Sequence, residues 1–138
     1  MLSYLVCDNT IMEMNLNGKR KELLRALSEN EFSEDFHIFV TETLEDAEAL
    51  GEDFAENIAS VIVQCINDGA SEDETVEKSR FKYDFGKYVF EVKEALRRLG
   101  VKEGRIEKLI KLYDDDLLNA FNRGWSAEGV AENMNDNF

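Results

Sequence analysis

Apolar and polar residues follow two rhythms along this chain, a period of two near the start and a period of three to four beyond it. Ser3-Tyr-Leu-Val-Cys7 and Thr10-Ile-Met-Glu-Met-Asn-Leu16 flank Asp8-Asn9. Two β-capable runs around two residues that tolerate a left-handed backbone predict a hairpin. Asn17-Gly18 punctuates, and residues 19–28 read as a short helix with Leu23, Leu24 and Leu27 inward. Phe36-His-Ile-Phe-Val-Thr41, bounded by polar Ser33-Glu34-Asp35, reads as a third strand of the same sheet.

From Thr43 the pattern turns helical. Thr43 is a good N-cap, with Asp46 three places on, where a carboxylate favours a helix N-terminus. Ala47, Leu50, Phe54, Ile58, Val61 and Cys65 recur at steps of three and four, which predicts one helix over residues 43–66. Asn67-Asp68-Gly69 ends it, and residues 70–77 form a polar connection. A further helix runs over residues 85–99 and stops at Gly100. Phe81, Tyr83 and Phe85 alternate, so residues 81–85 stay open between strand and helix. Residues 103–122 predict a third helix, closed by Arg123-Gly124, and Ser126 caps a last short one through Asn133. The fold class expected is α+β. A small N-terminal antiparallel sheet, a hairpin plus a third strand, packs with about four to five helices, and the C-terminal half is helical.

Composition adds little to this picture. No proline interrupts the helices. With 138 residues, 43 per cent of them apolar, the chain can bury a core as a single domain, 1–138, without disulfides or metals. Cys7 and Cys65 sit in apolar contexts with no CxxC partner and read as reduced core thiols. The first ten residues lack the basic start and long apolar run of a secretory signal, and no stretch approaches a membrane span. A cytoplasmic protein is the expectation.

Charge changes the picture more. Residues 1–78 hold 19 Asp and Glu against 5 Lys and Arg, while residues 79–138 hold 11 of each, so the net charge of −14 belongs to the first half. Between Arg25 and Lys78 there is no lysine or arginine at all. Repulsion sets such a surface against nucleic acid and anionic membranes, and a basic protein is its complement. At about 100° per residue, a helix over 43–66 places Glu45, Asp46, Glu48, Glu52, Asp53 and Glu56 opposite the apolar stripe. That ridge would carry roughly one charge per 3 Å of axis, near the spacing of about 3.4 Å between phosphates in one DNA strand. Like charges at i,i+4, such as Glu48–Glu52 and Glu52–Glu56, weaken a helix by a few tenths of a kcal/mol. An ordinary solvated face is the plain alternative. Glu72, Asp73 and Glu74 form a second candidate patch.

Other groupings carry less chemistry. The acids of residues 71–77 lack the ligand spacing of a calcium loop. Asp114-Asp115-Asp116 diverge by about 100° per residue on a helix and cannot converge on one ion. His37, the single histidine, has no nucleophile elbow, phosphate loop or metal motif beside it. No metal, cofactor or catalytic residue is expected, and the chain reads as non-enzymatic. The bases of the second half alternate with acids and leave no nucleic-acid footprint. Pairing of that half with the acidic half of a second copy leaves a homodimer open.

Small, proline-poor, strongly acidic α+β proteins of this size resemble phage and mobile-element inhibitors of bacterial defence, the anti-CRISPR and antirestriction DNA mimics. Asn119-Ala-Phe-Asn-Arg-Gly-Trp125 looks like the A-F-x-x-G-W segment near the end of one small anti-CRISPR family. In that family the acidic cluster follows the segment. Here Glu128, Glu132 and Asp136 follow it, and the dense acid lies upstream between Glu42 and Glu56. The resemblance implies an inhibitor that works inside a host cell and offers carboxylates to the basic groove of a nucleic-acid-binding defence effector. The helix face and the second patch name the residues for that contact: Glu45, Asp46, Glu48, Glu52, Asp53, Glu56, Glu72, Asp73 and Glu74. A toxin-immunity or structural interaction module is the alternative. A small-ligand sequestering protein or an enzyme, built around a polar pocket, is a third reading.

Overall fold

A computed structural model describes residues 18–136, and all of their regular structure is helical. In chain order the helices are α1 (Gly18–Glu29), α2 (Glu34–Leu50), α3 (Glu52–Asn67), α4 (Glu72–Arg98), α5 (Glu103–Leu112), α6 (Asp114–Asn122) and α7 (Ala127–Asp136). No strand occurs among the described residues, so the α+β expectation, with its N-terminal sheet, gives way to an all-α fold. The hairpin predicted over residues 3–16 lies outside the described residues.

The segment expected as a third strand, residues 36–41, is the front of α2. Ser33 stands at φ −66° and ψ 160°, and its Oγ accepts the Phe36 N–H at 3.2 Å. Glu34 and Asp35 occupy the first turn, where the helix dipole favours acids. Phe36, Val40, Leu44 and Ala47 are all buried, a stripe of helical period. The aromatic and β-branched run has local strand propensity, yet it opens a 17-residue segment whose burial repeats every three to four residues. Tertiary burial wins, and Thr43, expected as an N-cap, lies inside the helix.

Gly51 divides the helix expected over residues 43–66. Its backbone, φ 146° and ψ 152°, lies in a region essentially reserved for glycine. Its N–H reaches the carbonyls of Ala47 and Glu48, both at 3.1 Å, which closes α2. α3 starts at the next residue and packs against both α1 and α2.

The polar connection expected over residues 70–77 instead begins the 27-residue α4. Ser71 and Glu74 form a capping box: the Glu74 N–H donates to Ser71 Oγ at 3.1 Å, and the Ser71 N–H donates to Glu74 Oε1 at 3.3 Å. Residues 81–85 are therefore helical. The helix expected over residues 103–122 breaks at Tyr113, φ −104° and ψ 24°, into α5 and α6. Ser126 caps α7 as the sequence suggests, accepting the Gly129 N–H at 3.1 Å.

The chain forms two compact units that meet between Tyr83 and Asp84, inside α4. In the first, Leu23 and Leu27 of α1, Phe36, Val40 and Leu44 of α2, and Ile58 and Ile62 of α3 share one buried cluster. In the second, Val92 and Leu96 of α4 bury against Ile106, Leu109, Leu117 and Ala131.

A Cβ added at Gly51 would meet no atom within 4 Å. Its cost is therefore the backbone conformation alone. Gly51→Ala is expected to lower stability by about 1–3 kcal/mol. An unchanged midpoint in urea would show that the corner between α2 and α3 is not held in this conformation.

Candidate functional site

Arg20 sorts the acids of the first unit. The residue is only 2 per cent exposed, and a guanidinium taken out of water needs anions beside it. Its Nε donates to Glu56 Oε2 of α3 at 2.7 Å, and its Nη1 pairs with Glu48 of α2. Glu56 also accepts the backbone N–H of Lys19 at 2.8 Å and of Arg20 at 3.2 Å. It is thus an anion at the start of α1, where unpaired N–H groups and the helix dipole favour one. Gly18, at φ 61°, makes the approach possible, because a Cβ there would stand 2.2 Å from Glu56 Oε1.

Burial works against the charge on both partners, and the contacts overcome it. The Lys19 N–H and the Arg20 side chain hold the Glu56 carboxyl below its ordinary value. The Glu56 and Glu48 carboxylates hold the Arg20 guanidinium above its own.

Glu72 also turns to the protein. It accepts the Ser33 N–H at 3.0 Å and the Ser33 hydroxyl at 2.5 Å, so it steadies the residue that caps α2. Glu74 closes the capping box of α4. Of the acids the sequence nominates, Glu48, Glu56, Glu72 and Glu74 therefore have work inside the fold.

Glu45 and Asp46 on α2, Glu52 and Asp53 on α3, and Asp73 on α4 are exposed. None of these five belongs to an ion pair among the described residues. The continuous ridge from Glu45 to Glu56 does not form, because the Gly51 corner puts its acids on two helices. Glu48 and Glu52 are accordingly not neighbours on one helix, and the phosphate-like spacing does not run across the corner.

In its place α2 carries an acidic face of its own. Glu34, Asp35, Glu42, Glu45 and Asp46 are exposed and, at about 100° per residue, fall within an arc of about 120°. Exposed Ile38 and Ala49 share that arc, and the buried stripe lies opposite. Sequence reasoning does not find Glu34, Asp35 and Glu42, because a strand over residues 36–41 breaks the face. The signal was Ser33 followed by two acids, a helix start. The last turn of α2 holds no base, so Glu45 and Asp46 approach the negative end of the helix dipole without relief.

The remaining candidates are quieter. His37 is fully buried in α2, and Cys65 is a buried free thiol, while Cys7 lies outside the described residues. Asp114, Asp115 and Asp116 form the exposed first turn of α6. Among the described residues no three His, Cys, Asp or Glu side chains group to hold a metal ion, and no helix is long and apolar enough to cross a membrane. No family model, curated protein or solved structure matches this chain.

Because the folded-state value of Glu56 lies below its unfolded value, its charge stabilises the fold above the ordinary glutamate range, about pH 4.3. That contribution is lost as pH falls through the lower folded value. Glu56→Gln is expected to cost about 1–3 kcal/mol at neutral pH. Its deficit should shrink as acid protonates the wild-type carboxyl. Glu45→Gln should change stability by less than about 0.5 kcal/mol. Urea titrations at neutral and acid pH separate the two kinds of carboxylate.

Proposed function

We propose that the protein is a non-enzymatic inhibitor that presents the acidic face of α2, extended by Glu52 and Asp53 of α3, to a basic groove of a nucleic-acid-binding protein. The observation that carries this reading is the concentration, on one helix face, of exposed carboxylates that belong to no ion pair among the described residues. From Glu34 to Asp46 five acids cover about 18 Å of axis, roughly one per 4 Å, against about 3.4 Å between phosphates in a DNA strand. The net charge of −14 steers a basic partner toward the protein. At contact, arginine and lysine donate charge-assisted hydrogen bonds to the carboxylates, and those cations are then denied to phosphates. Ile38, exposed among the acids, adds an apolar contact. In the anti-CRISPR or antirestriction reading, the partner is a defence effector of the host cell, met in its cytoplasm.

The acids that bind Arg20 and cap helices support this face and make no contact of their own. Glu42, Glu45 and Asp46 are the residues to change, since Glu34 and Asp35 also stabilise the start of α2.

Wild type and a Glu42→Lys, Glu45→Lys, Asp46→Lys variant, both checked for helicity, are immobilised and exposed to host lysate at low salt. Proteins released as salt rises are then assayed for DNA or RNA binding with and without the inhibitor. Wild type should retain a basic protein and block its nucleic-acid binding, with affinity at least roughly tenfold above that of the variant. A folded variant that retains and blocks the same protein equally well ends the proposal. A partner that keeps its nucleic-acid binding but loses a toxic activity moves the protein to the immunity class.

A further inference from the structure

Two helices, one in each unit, carry exposed faces of opposite charge. On α2, the acids of the outer face surround Ile38, which is 38 per cent exposed. On α5, Ile106 and Leu109 are buried, and the acids turn to α4: Glu103 pairs with Arg97, and Glu107 lies 3.6 Å from Lys93. The bases occupy the other side. At about 100° per residue, exposed Arg105, Lys108 and Lys111 share with Leu112 an arc of about 120°. Lys108 and Lys111 belong to no ion pair among the described residues. Leu112 is 62 per cent exposed, more than any other large apolar residue described.

A single exposed leucine is common on protein surfaces, so its place in the series is what matters. From Ile38, Glu42 lies four residues on and Glu45 seven, about 6 and about 10.5 Å along the axis. From Leu112, Lys108 lies four residues back and Arg105 seven, the same two distances in the opposite chain direction. Antiparallel helices with Ile38 set against Leu112 therefore bring Glu42 to Lys108 and Glu45 to Arg105. Steps of four and three keep each series on one seam, the spacing by which paired helices interlock. Slipping the pair by one turn sets Ile38 against Lys108 instead.

The distribution of charge favours a contact between unlike units. Residues 1–83 hold 19 Asp and Glu against 7 Lys and Arg, while residues 84–138 hold 11 against 9. Two acidic units repel each other, whereas the nearly neutral unit offers an acidic one little repulsion and a cationic helix face.

We infer that the partner of the α5 face is a second copy of this chain, whose α2 docks on it antiparallel, with Ile38 on Leu112, Glu42 on Lys108 and Glu45 on Arg105. A contact made by one pair of helix faces is small and belongs to the weak, reversible class. The inference does not rest on the inhibitor reading. Where both hold, a basic partner displaces the second copy, so self-association covers the acidic face at high concentration and dilution exposes it.

Sedimentation equilibrium of the purified full chain, at about 0.15 M salt to screen diffuse charge, tests this without any other protein. The apparent mass should rise above that of one chain as concentration approaches about 1 mM. Glu42→Lys with Glu45→Lys should weaken association by at least about tenfold, because it sets like charges together. Arg105→Glu with Lys108→Glu should do the same. Mixed in equal amounts, the two variants, both checked for helicity, should associate again, since the intact face of each meets the intact face of the other. Glu29→Lys with Glu77→Lys makes an equal change of net charge on exposed residues outside the seam and should not weaken association. The inference is overturned by a single-chain mass up to about 1 mM, by face variants that associate as wild type does, by a mixture no better than its components, or by equal weakening in the Glu29 and Glu77 variant.

Discussion

The Arg20 guanidinium is buried within α1 and is held by Glu48 of α2 and Glu56 of α3, so a single cation ties three helices of the first unit together. Such a cluster is weak grounds for high stability, since its desolvation offsets much of the attraction, but losing one partner strands a buried charge. Its stronger effect is on orientation. Glu48 must face Arg20, and that requirement agrees with the burial of Phe36, Val40, Leu44 and Ala47 on the same side of α2. The opposite side is then fixed as the one that carries Glu42, Glu45 and Asp46. The placement of free acids outside follows from the placement of bound acids inside.

A segment with no lysine or arginine between Arg25 and Lys78 must find other partners for its carboxylates, and backbone N–H groups provide several. Glu56 serves the start of α1, Glu72 serves the start of α2 through Ser33, and Glu74 serves the start of α4. Helix N-termini offer unpaired donors and the positive end of the dipole, so they accept acids that have no countercharge. Composition alone makes these residues look surplus, whereas the structure gives each a local task.

The helical period made much of the architecture legible. Leu23, Leu27, Ile58 and Cys65 are buried where three-and-four spacing puts them, although Ile62 is buried where Val61 was expected, and Ser126 begins a helix. The errors share a cause. The run from Phe36 to Val40 has strand propensity over five residues, and only its continuation to Leu44 and Ala47 shows the helical stripe. Gly51 was readable as a glycine inside a helical pattern, but its role as a corner depends on how α3 packs back. Tyr113 gave no local warning of the break between α5 and α6. For the candidate site, sequence located the acidic region but not the direction of each side chain. Whether Glu48 or Glu45 meets Arg20 depends on a contact 28 residues away, which no local pattern encodes.

Position along the helix then separates acids that the fold uses from acids it does not. A carboxylate in a first turn stabilises its helix with or without a partner, so Glu34 and Asp35 need no external explanation. Glu45 and Asp46 lie toward the opposite end of the same helix, where the dipole opposes them and the last turn holds no base. Glu42 and Asp46, exposed and four residues apart, add mutual repulsion of a few tenths of a kcal/mol. These charges weaken the free protein slightly, and among the described residues none of them belongs to an ion pair. In the inhibitor reading proposed above, it is therefore Glu42, Glu45 and Asp46, more than the total charge, that would set where a cationic partner docks.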